Sequence, residues 1–195
     1  SELQFLKSQI NPQFLFNNLN NLYSYAIEQS PKTPSIILEL SSVLRYMLYD
    51  CKEKFVPFPK EIEHLKNFTK LNELQIEERG KITFNSENIQ TGYEIAPLIL
   101  TVFIENAFKH STASQSKDIF IDIDVKVSDK GMLDFECRNS FRPMGNTESL
   151  SKGIGLENVQ KRLQLLYPNA HELPFQDEQI VYFVHLNMLL NLCAP

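Results

Sequence analysis

Asn106, Lys109 and His110 stand at i, i+3 and i+4. On a helix that spacing puts an amide, an ammonium and an imidazole on one face. Such a set suits a magnesium-bound polyphosphate. The amide oxygen is a hard ligand for the metal, and cations meet phosphate charge. A solvated polar end of a core helix would have the same spacing. A second candidate is Gly153-Ile154-Gly155-Leu156, which opens a helical pattern. Glycines there let the backbone approach a phosphate, and a helix N-terminus favours anions; a flexible hinge is the competing reading. The third is Asn139, at the end of an alternating strand, where an amide can pair with a base edge or simply make a turn. The fourth is the stretch Ile10-Asn11-Pro12-Gln13-Phe14-Leu15-Phe16-Asn17-Asn18-Leu19-Asn20. It places a proline and a run of amides inside an amphipathic pattern, with Gln13 after the proline and Asn17 one turn on.

These groups need a scaffold. Leu15, Leu19, Leu22 and Ala26 recur at helical spacing. Pro12 either kinks a longer helix or opens a new one capped by Asn11. After a polar break, Thr33-Pro34 starts a second helix whose apolar positions run from Ile36 to Cys51. Two helices with a short link make an antiparallel hairpin. Its apolar side must be covered, either by a second copy in a four-helix bundle or by the rest of the chain. Phe55–Phe58 reads as an extended link and Pro59–Arg79 as a third helix, stopped by Gly80. Beyond it the pattern gives a strand at 82–84, a helix at 96–110 opened by Pro97, and strands at 119–125 and 133–137 around a turn at Asp129-Lys130-Gly131. A polar loop at 140–152, a helix at 154–167 ended by Pro168, and strands at 172–175 and 180–189 complete the chain. The class is α+β: an all-α part at 1–54, then an α/β part at 55–195.

The totals set limits. The chain has 195 residues, enough for one large domain or two small ones, and a formal net charge of -5. That balance argues against direct nucleic-acid binding. Three scattered cysteines read as reduced thiols of a cytosolic protein. No apolar run is long enough to span a bilayer, and no signal peptide is present. The chain begins inside a helical pattern, as expected of the cytoplasmic portion of a longer sensor whose membrane part lies upstream.

Taken together, Asn11-Pro12-Gln13-Phe14-Leu15-Phe16-Asn17, the run from Leu40 to Leu48, Ile104–His110 and the run from Gly153 to Pro168 resemble the LytS/YehU-type sensor histidine kinases of bacterial two-component systems. The resemblance covers nearly the whole chain. It implies a dimeric helical hairpin followed by an ATP-binding sandwich of the gyrase–Hsp90–histidine-kinase (GHKL, Bergerat) type, with ATP and Mg2+ as cofactors. By position Asn106 resembles the magnesium-linked asparagine. Lys109 and His110 resemble its phosphate-side neighbours, Gly153, Gly155 and Leu156 the second glycine box, and 140–152 the nucleotide lid. The family transfers a phosphoryl group to a histidine and then to a response-regulator aspartate. The implied partners are a second copy and a response regulator, often of the LytTR type. Glu105 takes the place of a general base, although Lys109 one turn on also makes it a candidate ion pair. Asn17 takes the place of a residue that orients water when the regulator is dephosphorylated; hairpin hydrogen bonding is the plainer role.

Two positions depart from the family. Asn139-Ser140 stand where an adenine-reading aspartate and its glycine box are expected, which removes charge assistance. Gln13 stands where the family has its phospho-accepting histidine. An amide nitrogen is delocalised into its carbonyl and is not a useful nucleophile. The alternative function is a non-catalytic pseudokinase that signals by dimerisation and nucleotide-dependent shape change. A different ATPase of the same fold fits the opening motif less well.

Overall fold

The computed structural model describes residues 12–142, 154–168, 171–172, 175–178 and 181–193. Its first two helices are α1 (Pro12–Ile27) and α2 (Thr33–Leu48). Proline at the start of α2 costs nothing, because the first turn has unused N–H groups. A short 3-10 turn at Asp50–Lys52 and a two-residue strand, β1 (Val56–Pro57), lead into α3 (Phe58–Ile76). Then come β2 (Gly80–Glu87), β3 (Tyr93–Ile95), α4 (Ile99–Ser114), β4 (Ile119–Val127) and β5 (Met132–Ser140). The remaining elements are α5 (Ile154–Leu166), β6 (His171–Glu172), β7 (Phe175–Glu178), β8 (Val181–Leu189) and β9 (Asn191–Leu192).

The main sheet has the order β2-β4-β5-β8-β6, with β7 also paired to β8. Only β2 and β4 run parallel; the other pairs are antiparallel. A small second sheet has the order β1-β3-β9. Alternation in β4 buries Ile119, Ile121, Ile123, Val125 and Val127, and β5 buries Leu133, Phe135, Cys137 and Asn139 on the same side. Cross-strand partners share a face, so this is the side covered by α4. Phe58, Phe68, Phe103 and Phe135 are essentially inaccessible, each contributing about 2–3 kcal/mol of burial.

Several boundaries differ from expectation for identifiable reasons. Gly80 does not cap α3. The helix ends at Ile76, Glu77 turns the chain at φ 48°, and Gly80 is already extended. The glycine is needed because a Cβ there would lie 2.1 Å from the Ile119 carbonyl oxygen of β4. Pro97 does not open α4: Ala96–Leu98 forms a turn, Leu98 is left-handed at φ 65°, and the helix runs from Ile99 to Ser114. The strand expected at 172–175 is two short strands. Ser140 ends β5, and most of the expected loop (143–152) lies outside the described residues, as does Asn11. The expected strand at 82–84 extends over Gly80–Glu87, and β3 and β9 had no strong alternation to announce them.

The hairpin uses its own chain as one cover. Phe14 stacks on Phe68 of α3, ring centroids 4.8 Å apart, and Ile36, Leu40, Val43 and Tyr46 are buried. A second apolar stripe stays open: Phe16, Leu19, Tyr23 and Ile27 of α1, with Ile37, Leu38 and Leu48 of α2.

Candidate functional site

Helix α4 runs beside β5 and carries the first set of residues. The Cys137 thiol lies 3.9 Å from the Phe103 carbonyl, and the Ser111 hydroxyl donates to the Ser140 carbonyl at 2.7 Å. Between those contacts lie Asn106 on the helix and Asn139 on the strand. Asn139 is 1% exposed. Its amide N–H donates to the Ser140 carbonyl at 3.0 Å, while its Oδ1 has no hydrogen-bond partner among the described residues. The Asn106 Nδ2 is likewise buried without a partner. Buried polar atoms are nearly always paired, so two unpaired amide atoms on adjoining elements fit a polar ligand. The acceptor suits an exocyclic amine such as that of adenine. An amide is also a suitable hard ligand for magnesium, through its oxygen.

Lys109 is exposed and His110 half-buried. The His110 ring lies 5.9 Å from that of Tyr182, and Tyr182 is paired in register with Asn139. Burial, then the Lys109 charge, pushes the His110 pKa below its ordinary value. The imidazole is therefore a neutral hydrogen-bonding group at neutral pH, and Lys109 is the cation of the pair. Glu105 is half-buried on the same helix. Gly155 falls in the first turn of α5 and Leu156 is buried in the core; Gly153 is outside the described residues. Gln13 and Asn17 lie far along the chain, on α1. Gln13 is exposed and its amide donates to the Asn17 Oδ1 at 3.0 Å.

The helices meet in a polar cluster that pattern reading did not single out. Glu61 of α3 is fully buried. Its Oε1 accepts from the Leu98 N–H at 2.9 Å and its Oε2 from the Tyr46 hydroxyl of α2. Arg162 of α5, also buried, donates to the Pro97 carbonyl at 2.5 Å. The Tyr167 hydroxyl accepts from the Ala96 N–H at 2.9 Å. His64 stacks on Tyr46, ring centroids 4.3 Å apart, with neither ring nitrogen hydrogen-bonded among the described residues. Desolvation raises Glu61 to about 7 and lowers His64 to about 3. The signal was present: Glu61 and His64 interrupt the apolar stripe Ile62, Leu65, Phe68 on one helix face. Asp134, Glu136 and His185 also gather, with ligand atoms within 4.8 Å of one another. They lie on the opposite face of the sheet from Asn139, since 134 and 136 alternate with the buried positions.

A histidine kinase family model matches residues 1–80. The sensor protein LytS of Enterococcus faecalis is 27% identical over 177 residues, covering 86% of this chain and 30% of that protein. The sensor histidine kinase/phosphatase LytS of Staphylococcus aureus is 25% identical over 189 residues, covering 90% and 32%. Over most of its length this chain is similar to the LytS-type sensor histidine kinases. It spans about a third of the length of these curated relatives. The fold agrees. The histidine kinase domain of the blue-light activated histidine kinase of Erythrobacter litoralis superposes with a TM-score of 0.56 at 12% identity, covering 89% of this chain and 94% of that one. The histidine kinase AdeS of Acinetobacter baumannii gives 0.51 at 12% identity, covering 87% and 84%. The expected α+β kinase architecture is thus the one observed. No helix among the described residues is long and apolar enough to cross a membrane.

Proposed function

We propose that this LytS-type chain is a dimeric nucleotide-binding kinase core, hairpin 1–54 and ATP-binding part 55–195, whose phospho-acceptor position has been lost. The Oδ1 of buried Asn139, unpartnered among the described residues, carries the reading: it is an acceptor that would suit the adenine amine. Asn106 would hold Mg2+, Lys109 the phosphate charge, and His110 a phosphate oxygen through a neutral N–H. Gly153 and Gly155 would let the backbone approach the phosphates at the start of α5, and buried Leu156 would anchor that turn. Bound Mg-ATP supplies the phosphoryl group in this family. Glu105, on the same helix, would act as a base for the acceptor. The open apolar stripe on α1 and α2 supports a homodimer through a four-helix bundle. The regulator partner, of LytTR type by resemblance, would meet Asn17 on α1. A cytoplasmic location beneath an upstream membrane segment follows from the same likeness.

The second reading, a pseudokinase, is favoured by one observation. Gln13 is engaged with Asn17 one turn on, and neither amide offers a nucleophile. Calorimetry with Mg-ATP tests the nucleotide site, with micromolar to submillimolar binding expected; no heat at millimolar nucleotide would refute it. Gln13→His with γ-labelled Mg-ATP then separates the readings. An acid-labile, base-stable label at position 13 marks a disabled kinase, and binding without label marks the pseudokinase.

A further inference from the structure

Glu61 uses its two carboxylate oxygens on two different parts of the molecule. Oε1 receives the N–H of Leu98. That residue is left-handed and immediately precedes α4, so the bond sets where the helix carrying Asn106, Lys109 and His110 begins. Oε2 receives the hydroxyl of Tyr46, on the second helix of the hairpin. The same turn is held from its other side by Arg162 of α5 through the Pro97 carbonyl, and by Tyr167 at Ala96. Helix α5 is the one that opens with the glycine box. Two helices that would touch a nucleotide, α4 and α5, therefore meet at Ala96–Leu98, and one hydroxyl from the hairpin joins them there through Glu61.

We propose that Glu61 is a shared positioning residue, holding the start of α4 with one oxygen and the hairpin with the other, so that hairpin docking and nucleotide binding are thermodynamically coupled through it. The inference rests on the nucleotide site proposed above and adds how that site communicates with the hairpin. Glu61 is buried behind the turn and reaches the ligand only through α4. Coupling is reciprocal: whatever the hydroxyl of Tyr46 contributes to nucleotide affinity, nucleotide contributes to hairpin docking. The hook is local. Phe14 on Phe68 and the ring of Tyr46 on His64 hold the hairpin in place by packing, so loss of one hydroxyl changes the coupling without releasing the helices.

The test is calorimetric titration of the full chain with the magnesium complex of a non-hydrolysable ATP analogue. Tyr46→Phe keeps the ring and removes the hook. Its Kd is expected to rise about fivefold or more, the low end of ordinary allosteric couplings. Tyr49→Phe, an exposed hydroxyl at the end of the same helix, should match wild type. Glu61→Gln can still accept from Leu98 and donate to Tyr46, so it should bind more tightly than Glu61→Ala. The readout that mere stability would not move is hydrogen exchange in residues 36–46. Nucleotide should slow it in wild type and not in Tyr46→Phe. A folded Tyr46→Phe with wild-type Kd and a wild-type exchange response would overturn the coupling while leaving the nucleotide site standing. Absence of binding by wild type would overturn both.

Discussion

Glu61 and His64 are one turn apart on α3, both buried, and they pull the pH dependence of stability in opposite directions. Burial raises Glu61 from an ordinary 4.5 to about 7. The folded protein then holds the proton more tightly than the unfolded chain. Its contribution is full below pH 4.5 and is lost as pH rises through 7. At about 1.4 kcal/mol per pH unit, the whole effect is about 3 kcal/mol. Burial lowers His64 from 6.5 to about 3. Its contribution is full above pH 6.5 and is lost as pH falls towards 3, about 5 kcal/mol in all. Between pH 4.5 and 6.5 both groups act, with slopes of opposite sign and similar size, so wild type should change little through their account. Glu61→Gln removes one of them. The stability of the variant relative to wild type should therefore climb by about 1.4 kcal/mol per pH unit through this window and level off above pH 7. Arg162 and Tyr46, the other titratable partners of Glu61, hold their charge states throughout. Urea denaturation at half-unit steps from pH 4.5 to 7.5, at fixed ionic strength, measures the difference. His64→Leu should give the mirror image, its advantage over wild type growing as pH falls. A Glu61→Gln difference constant with pH would refute a buried carboxyl with a raised pKa, whatever its absolute sign.

Other substitutions probe separate parts of the structure. Gly80→Ala drives a Cβ into the Ile119 carbonyl and should cost about 1–3 kcal/mol by strand displacement, read as a lowered Tm. Phe14→Ala removes the stack on Phe68 and should cost about 3–5 kcal/mol, with the hairpin exchanging hydrogen faster than the sheet. Tyr23→Glu places a charge in the open stripe of α1, and light scattering should show monomer where wild type is dimer while the circular dichroism spectrum is unchanged. Asn139→Leu fills the site with no acceptor. Nucleotide affinity should fall about tenfold, since one lost hydrogen bond is worth about 1 kcal/mol and the unmade partner more, while stability changes by only about 1 kcal/mol, because among the described residues the side chain gives up a single hydrogen bond, from its amide N–H to the Ser140 carbonyl.

The order and type of the long elements were legible because each carries one unbroken period. The run Ile119–Val125 alternates strictly and is a strand; Ile36–Leu48 repeats at helical spacing and is a helix. The misreadings share a physical cause: they concern residues whose role depends on a neighbour distant in sequence. Gly80 looks like a helix stop, but only the Ile119 backbone explains it. Pro97 looks like a helix start, but Glu61, Arg162 and Tyr167 hold the turn that delays the helix to Ile99. At the candidate site the polar face of α4 was visible from spacing alone. The neutrality of His110 was not, because it comes from burial against β8. Position 139 could be a turn or a base reader on the sequence; the structure makes it a buried strand residue whose Oδ1 has no partner among the described residues, which excludes the turn.

At about 100° per residue, Phe14, Asn18 and Tyr25 share the side of α1 that faces α3, where Phe14 is buried on Phe68 and the Tyr25 hydroxyl donates to Glu77 at 3.2 Å. Phe16, Leu19, Tyr23 and Ile27 fall about opposite, on the open stripe. Gln13 and Asn17 lie on neither. They occupy the flank between the face packed within the chain and the apolar face left open. An acceptor histidine needs such a place, since it must be reached by a nucleotide domain while both faces of its helix stay packed. Pro12 begins the helix just ahead of it, and the Gln13–Asn17 hydrogen bond closes the flank on itself. The platform is therefore separable from the group it presents. Replacing Gln13 alters neither packing face, so under the proposed function a helix that keeps both faces and the flank without the imidazole would retain what dimerisation and coupling to the nucleotide helix need, but not what accepting a phosphoryl group needs.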